Sequence, residues 1–366
     1  MIKKYTLLIG LLLPALISST WAVSAAKIDA VRNKETIADT DSAVIEEFLS
    51  EVFTELFAKS DFSDAAALRT SIISKSTSAN QSGQILYGPK YISAAEGELS
   101  KALKKVNALA DGNRKTILTT NLLLIINDLA NYETSKLALD YLGNPNVMIR
   151  YWAVNSVTNP NVVKQLNENS EDARNNFAQK LLKTAQAEQS SDILIILAQS
   201  ADIKAPAVNE ILTTIAQKRV DLYLSWNVSD EITDEAVLKA LADRSKANTE
   251  STKTMGKYFA TLYSLMIQRY VLGEQTLNEA GKTSLISAIA QSERNMTAFV
   301  PDWNANFRRA IEKGGASALL IEHDVLFGSA GAAGKLPAAI GFDYGKNADG
   351  SAITVPPVLS KPIAAK

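Results

Sequence analysis

The sequence contains no cysteine among its 366 residues, which removes several kinds of chemistry at once. Disulfides, thiol nucleophiles and thiolate metal sites all need cysteine, and so does lipid attachment at a signal-peptide cleavage site. An exported protein of this composition is therefore stabilised by packing rather than by cross-links. The sequence predicts a product that is not a lipoprotein.

Histidine is almost as scarce, because the chain has one, His323, between Glu322 and Asp324. A helical zinc site needs a second histidine at a spacing of about four residues. A catalytic triad needs a nucleophile such as Ser317 or Ser329 close to His323, and the sequence has no Gly-x-Ser-x-Gly motif. We expect a polar turn near the end of an apolar helix, with no catalytic residue, metal or cofactor.

An excess of charge of either sign is also missing. Lysine and arginine number 38 against 39 acidic residues, so the net charge is -1 at pH 7. This balance gives no general attraction to nucleic acid or to anionic lipid. The apolar fraction of 46% and the charged fraction of 21% are those of an ordinary folded protein.

Long hydrophobic runs are absent after the first residues of the chain. Basic residues at 3–4 precede an apolar run over 5–17, and small residues follow. This order is typical of a secretory signal peptide, and we predict one over 1–26 with cleavage after Ala25 or Ala26. The run is shorter than the ~20 residues that cross a bilayer. We therefore expect a periplasmic or secreted protein with no stable membrane anchor.

What the sequence does have is apolar residues at helical spacing. Ile45, Leu49 and Val52 illustrate the pattern, and no segment alternates with period two. The stretch over 74–91 is polar and lacks periodicity, so we expect a long loop there. The next helix is then expected to begin at the capping box over 93–96. The pattern predicts an all-α fold.

The predicted helix ends and a change of composition divide the chain after the signal peptide into three parts. We predict an N-terminal helical region over 27–112 and a second helical region over 113–327. Glycine, alanine and proline dominate from 328–366, and we expect an extended tail there because such a composition does not sustain a helix.

Two similar turns lie in the second helical region. The first contains Asn144, Pro145 and Asn146, and the second contains Asn159 and Pro160 followed by another asparagine. Asparagine accepts hydrogen bonds from its local backbone, and proline fixes φ while disfavouring helix in the residue before it. Each turn is therefore expected to end one helix and to begin the next at a set angle.

The stretch over 139–166 resembles a HEAT repeat. Arg150 follows the first turn, and the small apolar residues Ala153 and Val154 follow Arg150, as in the second helix of that repeat. The asparagines take the places of acidic residues in the family's turn. The resemblance implies a HEAT-like α-solenoid or α-α superhelix with a concave binding surface. It also implies that Arg150 bonds carbonyls or polar side chains of the adjoining repeat.

These observations favour an exported, non-enzymatic scaffold that binds a protein or an envelope polymer, with no role for nucleic acid. Tyr87, Tyr91 and Trp303 are the expected contact residues, because we expect them in loops. Two alternatives stay open. One is an all-α hydrolase or lyase that uses Asp, Glu, Tyr and Arg side chains. The other is a small-ligand binding protein with a pocket near Trp303.

Overall fold

The computed structural model describes residues 19–58, 62–80, 82–246, 249–273, 276–304, 306–330 and 332–360. These residues form sixteen α-helices, four 3-10 helices and two hairpins of two strands each. The fold is all-α, which confirms the prediction of its class. Across the described ranges, no helix is both long enough and apolar enough to cross a membrane.

The chain divides into two compact units, Met1–Gln165 and Leu166–Lys366. This division coincides with neither of the internal boundaries expected from the sequence, after residue 112 and after residue 327. The apolar run of the predicted signal peptide lies outside the described residues. The expected cleavage positions fall within the first described helix, which begins at Ser19.

In the first unit, each helix packs mainly on the next helix or the next but one. Such packing between sequence neighbours is compatible with a helical repeat. A 3-10 helix covers Lys136–Tyr141, and the last helix ends in the second unit. The helices are α1 Ser19–Arg32, α2 Asp39–Ala58, α3 Ala65–Ser74, α4 Gln84–Asn107, α5 Asn113–Leu129, α6 Tyr132–Ser135, α7 Val147–Thr158 and α8 Pro160–Asn167.

The expected loop over 74–91 is wrong in its second half. Helix α4 begins at Gln84, so Pro89 and the supposed capping box over 93–96 lie inside it. A proline in a helix interior costs about 3 kcal/mol or more. That cost is offset by the burial of side chains at four-residue spacing on one face of α4. None of Tyr87, Tyr91, Ala95 and Leu99 is exposed to solvent.

In the second unit, helices pack around one central helix, α13. Gly315 interrupts α15 with a φ of 61°, a left-handed conformation that favours glycine. Three 3-10 helices cover Gln199–Asp202, Glu231–Thr233 and Glu293–Ala298. The helices are α9 Glu171–Ala187, α10 Ser191–Ala198, α11 Ala207–Leu224, α12 Asp234–Ser245, α13 Thr249–Gly273, α14 Glu279–Ser292 and α15 Asn306–Phe327.

Helix α13 is buried on nearly all sides. It contacts α11, α12, α14 and α15, and residues 259–268 are all buried. Most of these residues are apolar, but Ser264 is fully buried and Gln268 is 6% exposed. Buried polar side chains need hydrogen-bond partners, so elements that pack on α13 have to supply partners for Ser264 and Gln268.

The C-terminal segment is more ordered than the predicted extended tail. Strand β1 Gly328–Ser329 pairs with β2 Ala332–Ala333, α16 covers Lys335–Ile340, and β3 Gly345–Lys346 pairs with β4 Ala352–Ile353. The expectation that no helix forms here is wrong. Helix α16 is stabilised by packing on α13, where a Cβ on Gly256 would lie 2.6 Å from Ile340 Cδ1.

A buried ion pair connects α11 to the start of α12. The Arg219 guanidinium donates to both Asp234 carboxylate oxygens at 2.6 and 3.0 Å, and neither side chain is exposed. Tyr223 donates a further hydrogen bond to Asp234 at 2.7 Å, and Arg219 also donates to Ser191 and to the Ser229 carbonyl. The charges are thus fully bonded inside the core.

We predict that Asp234→Ala lowers the free energy of unfolding by about 3–5 kcal/mol, because it leaves the Arg219 charge buried and unpaired. The matched control is Glu312→Ala, which breaks the Arg308–Glu312 pair, whose side chains are 71% and 57% exposed. That change is expected to cost at most about 1 kcal/mol. Urea unfolding measures both, and equal losses would contradict the assignment.

Candidate functional site

The first asparagine-proline turn is closed by its own side chains. Asn144 Oδ1 accepts from the Asn146 amide at 2.9 Å, and Asn146 Oδ1 accepts from the Met148 amide at 2.9 Å. Asn146 is therefore the N-cap of α7. Arg150 Nη1 donates to the carbonyls of Asn144 and Pro145 at 2.9 and 3.1 Å, so these acceptors belong to the same turn.

The second turn is built in a related way. Asn159 Oδ1 accepts from the Asn161 amide at 3.0 Å, and its Nδ2 donates to the Asn127 carbonyl at the end of α5 at 3.3 Å. Pro160 is the first residue of α8. At that position its missing N–H removes no helix hydrogen bond. Both turns thus hold helices in place.

The two tyrosines expected as loop contacts lie in α4 and face the core. Neither Tyr87 nor Tyr91 is exposed. Their hydroxyls donate to the carbonyls of Lys75 and Ile72, each at 2.7 Å, and so satisfy the C-terminal end of α3. Their expected placement in a loop was wrong, and their rings serve as packing between α3 and α4.

Trp303 lies before the N-terminal end of α15 and is half-buried. Its indole N–H donates to Glu293 Oε1 at 3.2 Å, and its ring centroid lies 5.6 Å from that of Phe307. The same carboxylate accepts from the Phe307 and Arg308 amides at 2.8 and 3.2 Å. A carboxylate stabilises the positive end of a helix there. Trp303 is thus part of the structure that begins α15.

His323, on α15, joins that helix to the central helix. Its Nε2 lies 2.8 Å from Ser264 Oγ on α13, and its Nδ1 lies 2.9 Å from Asp324 Oδ1. An ionised carboxylate only accepts, so Nδ1 carries the proton and Nε2 accepts from the Ser264 hydroxyl. The order of groups is that of a serine, histidine and aspartate triad.

Access to the serine separates this arrangement from a catalytic one. Ser264 is fully buried, and its Oγ also accepts from Gln268 Nε2 at 2.9 Å. A nucleophile needs room for a substrate carbon beside its oxygen, together with donors for the developing negative charge. In the part of the chain that the structure describes, the buried Ser264 Oγ has neither room for a substrate carbon nor free donors beside it. The arrangement therefore acts as a hydrogen-bonded link between α13 and α15.

The serine bonded to His323 is Ser264, 59 residues earlier in the chain, and not Ser317 or Ser329, the two that the sequence suggested. A signal was present in the sequence. Ser264 and Gln268 are polar residues four apart in an otherwise apolar stretch, and such a pair lies on one helix face. The pattern marks buried polar groups without naming their partners.

Gln268 holds the end of the tail against α13. Its Nε2 donates to the Pro357 carbonyl at 2.9 Å, and its Oε1 accepts from the Leu359 amide at 2.8 Å. The indole of Trp226 donates to the Ser360 carbonyl at 2.8 Å. These bonds hold residues 355–360, which have no regular secondary structure, against α13 and Trp226. We call this segment the strap.

A cavity of 320 Å³ lies where the strap passes the C-terminal ends of α13 and α15. Its wall is mainly aliphatic, and its polar members include Gln268, His323, Asp324 and Ser329. At its edge, Leu320 is 41% exposed and the strap residue Val358 is 72% exposed. The volume falls within the range of small-molecule sites in proteins.

The described residues of the cavity wall include two ionisable side chains, His323 and Asp324. Burial lowers the pKa of the His323 imidazole below its ordinary value, although the hydrogen bond to Asp324 opposes this shift. Asp324 is the one acidic residue among the described residues of the wall, and its side chain is 46% exposed. Among the residues described, no group of three His, Asp or Glu side chains is placed to hold a metal ion.

The chain matches no family model, no curated protein and no solved structure. The similarity to HEAT repeats thus stays a prediction from the turn over 139–166.

We predict that Gln268→Leu frees the strap, because leucine keeps the size of the side chain but removes both of its bonds to the strap. Hydrogen exchange at the Leu359 amide is expected to accelerate at least about fivefold, since a net hydrogen bond contributes about 1 kcal/mol or more when its partner is buried. Gln217→Leu on α11 is the control, because Gln217 is exposed and its side chain bonds Asp221, one helical turn further on. Unchanged exchange at Leu359 would refute the role of Gln268.

The lowered pKa of His323 sets a pH dependence. The unfolded chain binds a proton at about pH 6.5, whereas the folded chain resists it until a lower pH. The unfolded state thus binds more protons between these values, and stability is lost as the pH falls from 7 towards 5. Urea midpoints across this range measure the loss. His323→Gln is expected to flatten the dependence, and an equally steep curve in that variant would contradict the assignment.

Proposed function

We propose that this protein is an exported, non-enzymatic helical binding protein that holds a small, largely apolar molecule in the cavity between the strap and the ends of α13 and α15. The observation that carries the proposal is the cavity itself, with its volume of 320 Å³ and its mainly aliphatic wall. Burial of apolar surface contributes roughly 25 cal/mol per Å² to binding such a molecule.

The state of the polar groups in the wall also supports an apolar occupant. Gln268 already bonds Ser264, Pro357 and the Leu359 amide. His323 uses both ring nitrogens. A ligand therefore meets Gln268 and His323 without having to satisfy them. The small-ligand alternative thus moves from Trp303 to the opposite end of α15.

The export part of the proposal comes from the sequence over 1–26, with its basic start, apolar run and small residues. The non-enzymatic part is supported by the sealed position of Ser264, because a triad without an accessible nucleophile does not transfer an acyl group.

A second candidate is the scaffold that binds a protein or an envelope polymer. Val147 and Met148, which follow the HEAT-like turn, are 51% and 54% exposed. Adjacent exposed aliphatic side chains beside a rigid turn suit a contact with a partner. In this reading the first unit is a HEAT-like stack, and the turn residues from Asn144 to Arg150 present the contact.

Phenylbutanol tests the cavity as a probe, because it is small and mostly apolar. We expect binding with a dissociation constant on the order of 1 mM or tighter, given the usual efficiency of small ligands. Val271→Phe fills the cavity from α13 and is expected to weaken binding at least about tenfold. The NMR signals of His323 report occupancy, and they need no assignment because the chain has one histidine.

Ile195→Phe is the matched control, since Ile195 lines a separate groove of 170 Å³ in the same unit. It is expected to leave binding of phenylbutanol unchanged. If the Val271→Phe variant binds phenylbutanol as tightly as the parent protein does, the probe binds outside the cavity. No binding by the parent protein would refute the proposal and favour the scaffold.

A further inference from the structure

We propose that the molecule held in the cavity carries a positively charged group, such as a primary amine on a small apolar body, and that this group pairs with Asp324. The inference rests on the proposed function and names the class of ligand. It follows from the charges of the wall and from the ends of the two helices that form it.

The described residues that line the cavity include one acidic residue, Asp324, and no lysine or arginine. His323 donates to one oxygen of this carboxylate at 2.9 Å, and the side chain remains 46% exposed. The carboxylate is thus oriented by a neighbour and still open to a ligand. A cation is attracted to it, whereas an anion is repelled.

The helix ends add to the same preference. Val271 and Leu272 belong to the last turn of α13, and Asp324 belongs to the last turn of α15. The C-terminal end of a helix carries a partial negative charge. Its effect is small here, because the Gly273 carbonyl accepts from the Thr276 and Leu277 amides and the Phe327 carbonyl accepts from the Tyr344 hydroxyl. The two helix ends beside the cavity thus add a minor preference for a cation to that of Asp324.

The remaining space sets the size of the apolar body. A volume of 320 Å³ lies at the lower end of the ~300–1,000 Å³ range of small-molecule sites. This is room for a ring or a short branched chain next to the amine. Leu320 and Val358 line the cavity and are partly exposed, so they offer aliphatic surface to the apolar end of such a molecule.

Three probes of one shape test the inference, namely phenylbutylamine, phenylbutanol and phenylbutyrate. Their dissociation constants are measured by titration of the His323 NMR signals at pH 7 in low salt. We expect the amine to bind at least about threefold more tightly than the alcohol, because the pair is partly exposed to solvent. The acid is expected to bind most weakly. High salt is expected to narrow the difference between amine and alcohol.

Asp324→Asn removes the charge but keeps an oxygen that accepts from His323 Nδ1, so the link to Ser264 is retained. In this variant the amine is expected to lose its advantage, while the alcohol binds as before. Glu322→Gln is the control, because it removes a neighbouring carboxylate of α15 that does not line the cavity. It is expected to leave the relative affinities of the amine and the alcohol unchanged.

The outcomes separate the two proposals. If none of the three probes binds, the cavity is not a binding site and the proposed function fails. If the alcohol binds as tightly as the amine, or the acid binds best, the cavity takes ligands but the inference about charge is overturned. The same holds if Asp324→Asn leaves the preference for the amine intact.

Discussion

The second unit depends on one constraint, which is that α13 is buried on nearly every side while it carries Ser264 and Gln268 in its interior stretch. A buried polar group without a hydrogen-bond partner costs several kcal/mol, so each of these side chains requires a partner from a neighbouring element. His323 on α15 meets the first requirement, and the backbone of the strap at Pro357 and Leu359 meets the second. Two polar residues, one helical turn apart, thus bond α15 and the strap to α13.

The cavity is a consequence of the same bonds. The strap is held by its backbone, so its side chains Val355 and Val358 are free to form a wall rather than to fill the space against α13. His323 is fixed from both sides, which leaves Asp324 oriented at the cavity and half exposed. The residues of a catalytic triad are all present, yet burial assigns them a different role. The function of such a constellation is decided by access to the serine and not by the order of its groups.

The fold class was predictable because helical spacing of apolar residues is a local signal, and the turn at Asn144 to Asn146 was visible for the same reason. Local signals failed where packing overrides them. Pro89 and the polar stretch before it predicted a loop, but burial of Tyr87 and Tyr91 against α3 extends α4 through this segment. The prediction of an extended tail was wrong for the same reason, since Ile340 packs on Gly256 and supports a short helix in a glycine-rich sequence. The pairing of Ser264 with His323 spans 59 residues, and no local pattern specifies a contact of that range.

The tautomer of His323 tests this account most directly, because it reports the bond between α15 and the buried serine of α13. Long-range proton–nitrogen NMR at neutral pH distinguishes the two ring nitrogens. The account predicts a neutral ring with the proton on Nδ1 and with Nε2 accepting from Ser264, and it predicts a large shift of the Nε2 signal in Ser264→Ala. A ring that carries its proton on Nε2, or an Nε2 signal that Ser264→Ala leaves unchanged, would contradict it.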